Sequence, residues 1–60
     1  MKKYINIKDL SEYLDIKPST LYDWVFRKKI PYYKIGRLVK FNMDEIEKWV
    51  EERKQKVYEY

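Results

Sequence analysis

The 60-residue sequence contains no cysteine and no histidine. Without thiols it can form neither disulfides nor thiolate metal sites, and without imidazole it lacks the usual zinc ligand and the commonest general base near neutral pH. A domain of this size buries only about 60% of the surface that its unfolded chain exposes, which leaves no room for both a core and a deep substrate pocket. We therefore expect no catalytic residue, no metal site and no cofactor.

Glycine, proline and long apolar runs are also scarce. One Gly and two Pro occur, so a disordered linker is not expected before the last few residues. No apolar run approaches the roughly 20 residues that span a bilayer. The two lysines after Met1 are not followed by the apolar segment of a signal peptide. We expect a single domain over residues 1–60, cytoplasmic and associated with the nucleoid, without membrane contact.

Basic residues are present in excess between Lys17 and Lys40, where only Asp23 is acidic. This stretch has a net charge of +6, against +4 for the whole chain. An ordinary solvated surface is one interpretation, but charge polarised in this way favours a polyanionic partner, most simply nucleic acid. The basic residues are Lys17, Arg27, Lys28, Lys29, Lys34, Arg37 and Lys40.

The first half of the sequence predicts two helices joined by a tight turn. Asn6 is a good N-cap for a helix from Ile7 to Leu14, and Asp15 is a plausible left-handed stop. Pro18 suits the first turn of a second helix, which should end around Lys28. Two helices connected by so few residues match a helix-turn-helix. The inner positions are Ile7, Leu10, Tyr13 and Leu14 on the first helix and Leu21, Trp24 and Val25 on the second.

A β-hairpin is predicted next, with Gly36 in its turn. A two-residue loop, Gly36-Arg37, would mix lysines and aliphatic residues on both faces. A three-residue loop that includes Leu38 would give one apolar face and one face carrying both lysines, so side-chain parity favours it. Its pairs are Ile35 with Val39, Lys34 with Lys40, and Tyr33 with Phe41.

The C-terminal part predicts a third helix. Asn42 is its N-cap, with Glu45 at the capping-box spacing, and the helix should run from Met43 to about Lys56. Large aromatic residues could stack on single-stranded bases, but their spacing favours the core. The expected inner residues of this helix are Ile46, Trp49, Val50, Arg53 and Val57; the aromatic residues assigned to the core are Tyr13, Trp24, Phe41 and Trp49.

Three stretches carry a likeness to a known family. They are Tyr4 to Leu14, then Ser19-Thr20-Leu21-Tyr22-Asp23-Trp24-Val25 with Ile30-Pro31, and finally Lys34-Ile35-Gly36-Arg37 with Asp44-Glu45-Ile46 and Trp49. On these residues the chain resembles the excisionase and MerR-type winged helix-turn-helix family. It departs from the family at Asp15 and Lys28, where glycine is frequent.

The resemblance implies a small α+β, mostly helical fold, with three helices and a hairpin wing between the second and third. It also implies that the second helix enters the DNA major groove and that the wing holds the backbone or minor groove. The expected major-groove residues are Pro18, Ser19, Thr20, Tyr22 and Asp23; the expected backbone or minor-groove residues are Lys17, Arg27, Lys28, Lys34, Arg37 and Lys40.

Family members act as recombination directionality factors of mobile elements or as small transcriptional regulators. The resemblance therefore implies binding of double-stranded DNA and architectural action with an integrase. A phage or plasmid repressor remains the alternative. The chain has no counterpart of the long dimerisation helix of MerR regulators, which favours a monomer or cooperative assembly on tandem sites. A hypothesis of another class is a protein-interaction module that uses the tyrosines and the acidic third helix.

Overall fold

The computed structural model describes residues 3–55, which form three helices and three short strands. The two predicted N-caps are confirmed, because Asn6 Oδ1 accepts from the N–H of Asp9 at 2.8 Å and Asn42 Oδ1 from the N–H of Glu45 at 3.1 Å. The elements are β1 (Tyr4–Ile5), α1 (Ile7–Leu14), α2 (Pro18–Phe26), β2 (Tyr33–Ile35), β3 (Leu38–Asn42) and α3 (Met43–Glu51).

The turn between α1 and α2 uses a left-handed residue, as predicted. Asp15 has φ 55°, and its N–H donates to the carbonyl of Ser11. The Ser11 hydroxyl donates in turn to the carbonyl of Ile16 at 2.6 Å. Pro18 then opens α2 at a position where its missing N–H is not needed. These contacts fix the short connection between the two helices.

The ends of α2 and α3 differ from the prediction in different ways. Helix α2 ends at Phe26, and Lys28 takes φ 57° in the turn that follows. Within residues 3–55, Lys28 and Asp15 are the non-glycine residues with positive φ. Helix α3 ends at Glu51, so its predicted extension to about Lys56 is wrong. Val57, assigned to its inner stripe, lies outside the described residues.

The sheet is antiparallel, with strand order β1-β3-β2. Strand β1 was not predicted, because two residues show no periodicity. It pairs with β3 through Tyr4 opposite Asn42 and Ile5 opposite Phe41. The N–H of Met43 also donates to the carbonyl of Lys3 at 2.7 Å. The N-terminal segment thereby holds the end of β3 from which α3 begins.

The predicted hairpin register is wrong. The loop is Gly36-Arg37, and the pairs are Ile35 with Leu38, Lys34 with Val39 and Tyr33 with Lys40. Gly36 has φ 63°, and Arg37 is not among the positive-φ residues, as in a type II′ turn. Glycine therefore takes the left-handed position that the longer loop would have imposed on Leu38.

The reason for this register is that the inner face of β3 is completed by β1. Phe41 lies opposite Ile5 rather than Tyr33, so the hairpin does not need an apolar face of its own. Residues in register on neighbouring strands share a face. Lys34 therefore lies on the face of Val39, while Lys40 lies on the opposite face with Tyr33, and the predicted two-lysine face does not exist.

The core lies between the helices and the inner face of the sheet. Trp24 and Trp49 are half-buried against it with ring centroids 5.8 Å apart. Tyr13 was assigned to the core but is 53% exposed. It lies about 60° beyond Leu10 around α1, off the stripe that faces inward. The buried apolar residues are Ile5, Ile7, Leu10, Leu21, Ile30, Phe41, Met43 and Ile46.

Trp49 connects α3 to the segment that follows α2. Its indole N–H donates to the carbonyl of Lys29 at 3.0 Å. The guanidinium carbon of Arg53 lies 4.1 Å from the centroid of the same ring, in a cation–π contact.

Among residues 3–55, no helix combines the length and apolar character needed to cross a membrane. The element order confirms the α+β winged helix-turn-helix architecture, with the hairpin between the second and third helices.

Candidate nucleic-acid interface

The N-terminal half of α2 presents a polar face to solvent. Leu21 is fully buried and fixes the rotation of the helix about its axis. Because residues one position apart are separated by about 100° around a helix, the neighbours of Leu21 point away from the core. Pro18, Ser19, Tyr22 and Asp23 are exposed, and Thr20 is half-buried. All five residues predicted for the major groove are thus on or beside an accessible helix face.

An open hollow joins this face to the wing. Residues from both predicted DNA-contact sets line this hollow. Pro18 and Tyr22 of α2 come from the major-groove set, and Arg37 of the hairpin loop comes from the backbone or minor-groove set. Helix α1 contributes Lys8 to the same hollow. The complete lining is Asn6, Ile7, Lys8, Pro18, Tyr22, Arg37, Leu38 and Val39. Among the described residues, therefore, two basic side chains and no acidic one line the hollow.

Lys8 was missed by the sequence analysis. It lies outside the basic stretch from Lys17 to Lys40, and a count of charges along the chain gives it no weight. The available signal was its position next to Ile7, which is buried and turns Lys8 outward at the start of α1. Only the three-dimensional fold brings this end of α1 to the wing.

The other predicted backbone contacts are spread around α2 and the hairpin. Lys17 is the exposed N-cap of α2, and Arg37 is exposed at the hairpin tip. Lys34 is exposed on one face of the hairpin, whereas Lys40 is half-buried on the other. Lys28 lies at the far end of α2, in a separate hollow with Trp24, Lys29, Trp49 and Arg53. The structure does not bring Lys28 to the hollow at the wing.

Arg27 and Asp23 form an ion pair on the exposed side of α2. The Arg27 Nε donates to Asp23 Oδ1 at 3.0 Å and to Oδ2 at 3.1 Å. Both side chains are more than half exposed, so solvent screening keeps the contribution of the pair to stability below about 1 kcal/mol. In the free protein, therefore, each of these two side chains is engaged by the other.

The base of the wing is held by Tyr33. Its hydroxyl donates to Glu45 Oε2 at 2.9 Å, and its ring packs edge-on against Tyr4 with centroids 5.6 Å apart. The hydrogen bond to the Glu45 carboxylate raises the pKa of the Tyr33 phenol above its ordinary value. These contacts connect β2 to both β1 and the start of α3.

The described residues contain no group of three or more Asp, Glu, His or Cys placed to hold a metal ion. The hollow at the wing supplies cationic, amide and apolar groups, which suit a phosphate-bearing or base-bearing ligand.

Comparison with known proteins identifies one family. A family model described as "Helix-turn-helix domain" matches residues 4–54 of the chain. None of the curated proteins compared with the sequence matches it. The family match spans α1, α2, the hairpin and α3. The chain belongs to the helix-turn-helix domain family, a family of DNA-binding domains.

Proposed function

We propose that this domain binds double-stranded DNA through α2 and the wing, as an excisionase-like recombination directionality factor. The observation that supports this most is the hollow where Pro18 and Tyr22 of α2 meet Arg37 of the wing. It combines an exposed helix start with cationic side chains and has no acidic lining residue among those described. This is the chemistry of a surface that accepts a polyanion.

Base contacts are assigned to the first turns of α2. In helix-turn-helix proteins the N-terminal residues of the second helix reach base edges. Ser19 and Thr20 bear hydroxyls that can donate to or accept from several bases, and the Tyr22 ring can contact a thymine methyl. Pro18 fixes the start of the helix. Asp23 repels phosphate and, once released from Arg27, can accept a hydrogen bond from a cytosine amino group.

Phosphate contacts are assigned to the surrounding basic residues. Lys17 precedes α2, Lys34 and Lys40 lie on the two faces of the hairpin, and Arg37 lies at its tip. Arg27 and Lys28 extend the basic surface to the far end of α2. Such contacts set affinity, register and salt dependence, while the sequence is read at base edges.

The recombination role is architectural. The protein breaks no bond; it bends DNA at tandem or adjacent sites, as a monomer or a cooperative assembly, so that an integrase can assemble for excision. It acts in the cytoplasm, on nucleoid DNA. The resemblance of three stretches of the chain to excisionase and MerR-type domains supports this role. A transcriptional repressor would use the same surface and differ in its genomic targets.

A binding selection on genome fragments tests the proposal. The expected result is enrichment of a few fragments with repeated short sites beside an integrase gene. An excision reaction with that integrase should then depend on the protein. Ser19→Ala should change the selected sequence, whereas Tyr13→Ser, in a separate hollow with Leu14, Glu47, Val50 and Glu51, should not. Enrichment beside promoters, with excision independent of the protein, would favour the repressor. No enrichment at low salt would reject DNA binding.

A further inference from the structure

The tip of the wing exposes two aliphatic side chains. Ile35 is 57% exposed and Leu38 is 59% exposed, and they lie directly opposite each other where the strands enter the loop. Arg37 lies beside Leu38 in that loop, next to Gly36. Single exposed aliphatic residues are common on protein surfaces, but these two lie opposite each other next to the hairpin loop and so form one apolar patch.

The core does not use this pair. Residues two positions apart on a strand share a face, so Val39 and Phe41 share the inner face, and Phe41 is fully buried. Leu38 lies on the other face with Lys40, and Ile35 lies there with Tyr33. The three-residue loop expected from the sequence would have turned Ile35 inward opposite Val39. The observed register turns it outward, and both members of the pair stay more than half exposed.

The charge around the pair favours DNA as its partner. Residues 33–42 contain Lys34, Arg37 and Lys40 and no acidic residue. The hollow beside Leu38 adds Lys8 and connects the tip to α2. A protein partner for an apolar pair would have to tolerate these cations, whereas nucleic acid complements them.

We propose that Ile35 and Leu38 form an apolar wedge that enters the DNA minor groove together with Arg37 and partly unstacks one base step. This inference rests on the proposed DNA binding. Arginine is attracted to the negative potential of a narrow minor groove. Apolar side chains inserted between base steps there kink the duplex by about 20–90°. The wing thus bends DNA rather than only gripping it.

Contacts at the base of the wing support the hairpin against the force that bending DNA would exert on it. The Tyr33 hydroxyl bonds to Glu45 at 2.9 Å, and the Tyr4 ring packs against Tyr33. Strand β3 pairs with β2 along the wing and then with β1 through Phe41 and Asn42, so β1 holds the strand where the wing leaves the domain. These contacts hold the base of the hairpin in place, so that in the proposed complex the tip can press on a base step.

The test measures DNA bending and base unstacking separately from binding. A duplex containing the selected site carries donor and acceptor dyes at its ends and 2-aminopurine at successive positions under the wing. The full chain is compared with the double variant Ile35→Thr/Leu38→Thr, which keeps strand-compatible side chains, and with Arg37→Ala. Tyr13→Ser, in a hollow apart from the wing, is the matched control.

The parent protein should raise energy transfer and 2-aminopurine fluorescence at one step. The double variant should lose both signals while the slope of log affinity against log salt stays unchanged. Arg37→Ala should make that slope shallower by about 0.9, the value for one phosphate-equivalent charge. If the double variant does not fold by circular dichroism, Leu38→Thr alone is used, and it should reduce both signals.

Two results would overturn the wedge and leave DNA binding intact. One is a parent protein that binds with a salt-dependent affinity but does not bend the site. The other is a folded double or Leu38→Thr variant that bends and unstacks the site as the parent does. A parent protein with no salt-dependent affinity for duplex DNA would instead reject the proposed function itself.

Discussion

Arg27 and Asp23, one turn apart on α2, hold each other through two hydrogen bonds of 3.0 and 3.1 Å. The pair lies on the exposed side of the helix assigned to the major groove, with both side chains more than half exposed. Because an exposed pair of this kind is worth less than about 1 kcal/mol, a phosphate can compete for Arg27. With Arg27 as one of the proposed phosphate contacts, we expect Asp23 to limit how strongly the domain binds DNA of any sequence.

Asp23→Asn should increase affinity for random-sequence duplex. The substitution removes the negative charge beside Arg27, so the guanidinium becomes available for one further phosphate contact. The slope of log affinity against log salt should become steeper by about 0.9, and the preference for the selected site should fall. Binding titrations over a range of salt concentrations measure both quantities.

The control for this prediction is the same substitution in an Arg27→Ala background. There Asp23→Asn should have a much smaller effect, since the partner is absent, and the double-mutant cycle isolates the coupling. An equal gain in affinity with and without Arg27 would show that Asp23 acts by general repulsion of DNA.

Lys28→Gly should stabilise the domain and weaken its binding to DNA. Lys28 has φ 57°, a conformation that disfavours side chains with a Cβ by about 1 kcal/mol or more. Glycine relieves this cost but removes a cation at the end of α2. Chemical denaturation should show a gain of about 1 kcal/mol, and the salt slope should become shallower.

Asp15→Gly is the matched variant, because Asp15 has φ 55° in the turn between α1 and α2. It should also stabilise the domain, by a smaller amount since aspartate tolerates this conformation better than lysine. No loss of DNA affinity is expected. A loss of stability in both variants would contradict the assignment of strain to these positions.

Leu10→Ala should severely destabilise the domain. Leu10 is fully buried among the core residues, and leucine-to-alanine changes at such positions cost about 2–5 kcal/mol. A domain of this size has little stability in reserve. Val50→Ala, at a position that is 41% exposed, should cost much less. Urea denaturation followed by tryptophan fluorescence gives both values, and similar costs would contradict the described core.

The Tyr33–Glu45 contact predicts a stability effect at alkaline pH. The folded-state pKa of Tyr33 is raised, first by its hydrogen bond to the Glu45 carboxylate. A raised phenol pKa contributes stability that is fully present below the unfolded value of about 10 and is lost as pH rises through the folded value. The melting temperature should therefore fall more steeply above about pH 10 in the parent protein than in the Tyr33→Phe variant.

Glu45→Gln provides the control, because glutamine retains an acceptor oxygen without the negative charge. An NMR titration of the tyrosine rings should show the pKa of Tyr33 falling in this variant. An unchanged titration curve would mean that the carboxylate does not perturb the phenol.

Interactions between residues close together in the sequence were sufficient to predict much of this fold. The capping of α1 by Asn6, the left-handed conformation of Asp15 and the start of α2 at Pro18 each depend on residues within one or two turns. The same holds for the capping of α3 by Asn42. Such features are set by side-chain donors, acceptors and backbone preferences that a sequence displays directly.

The predictions were wrong where contacts between residues far apart in the sequence determine the structure. Side-chain parity gave the wrong hairpin register because Phe41 finds its partner in Ile5, far away in the sequence, and not in Tyr33. Lys8 joined the hollow at the wing only through the packing of α1. Tyr13 was placed in the core by an apolar stripe drawn too wide. Charge counting located the basic surface, but long-range pairing determined which lysines share a face.

The salt dependence of duplex binding tests the central claim most directly. With about five phosphates neutralised by the residues around α2 and the wing, log affinity should fall with log salt at a slope near −4.5. Substituting Arg37 should reduce that slope, and substituting Tyr13 should not. A slope near zero for the parent protein would contradict DNA binding by this surface.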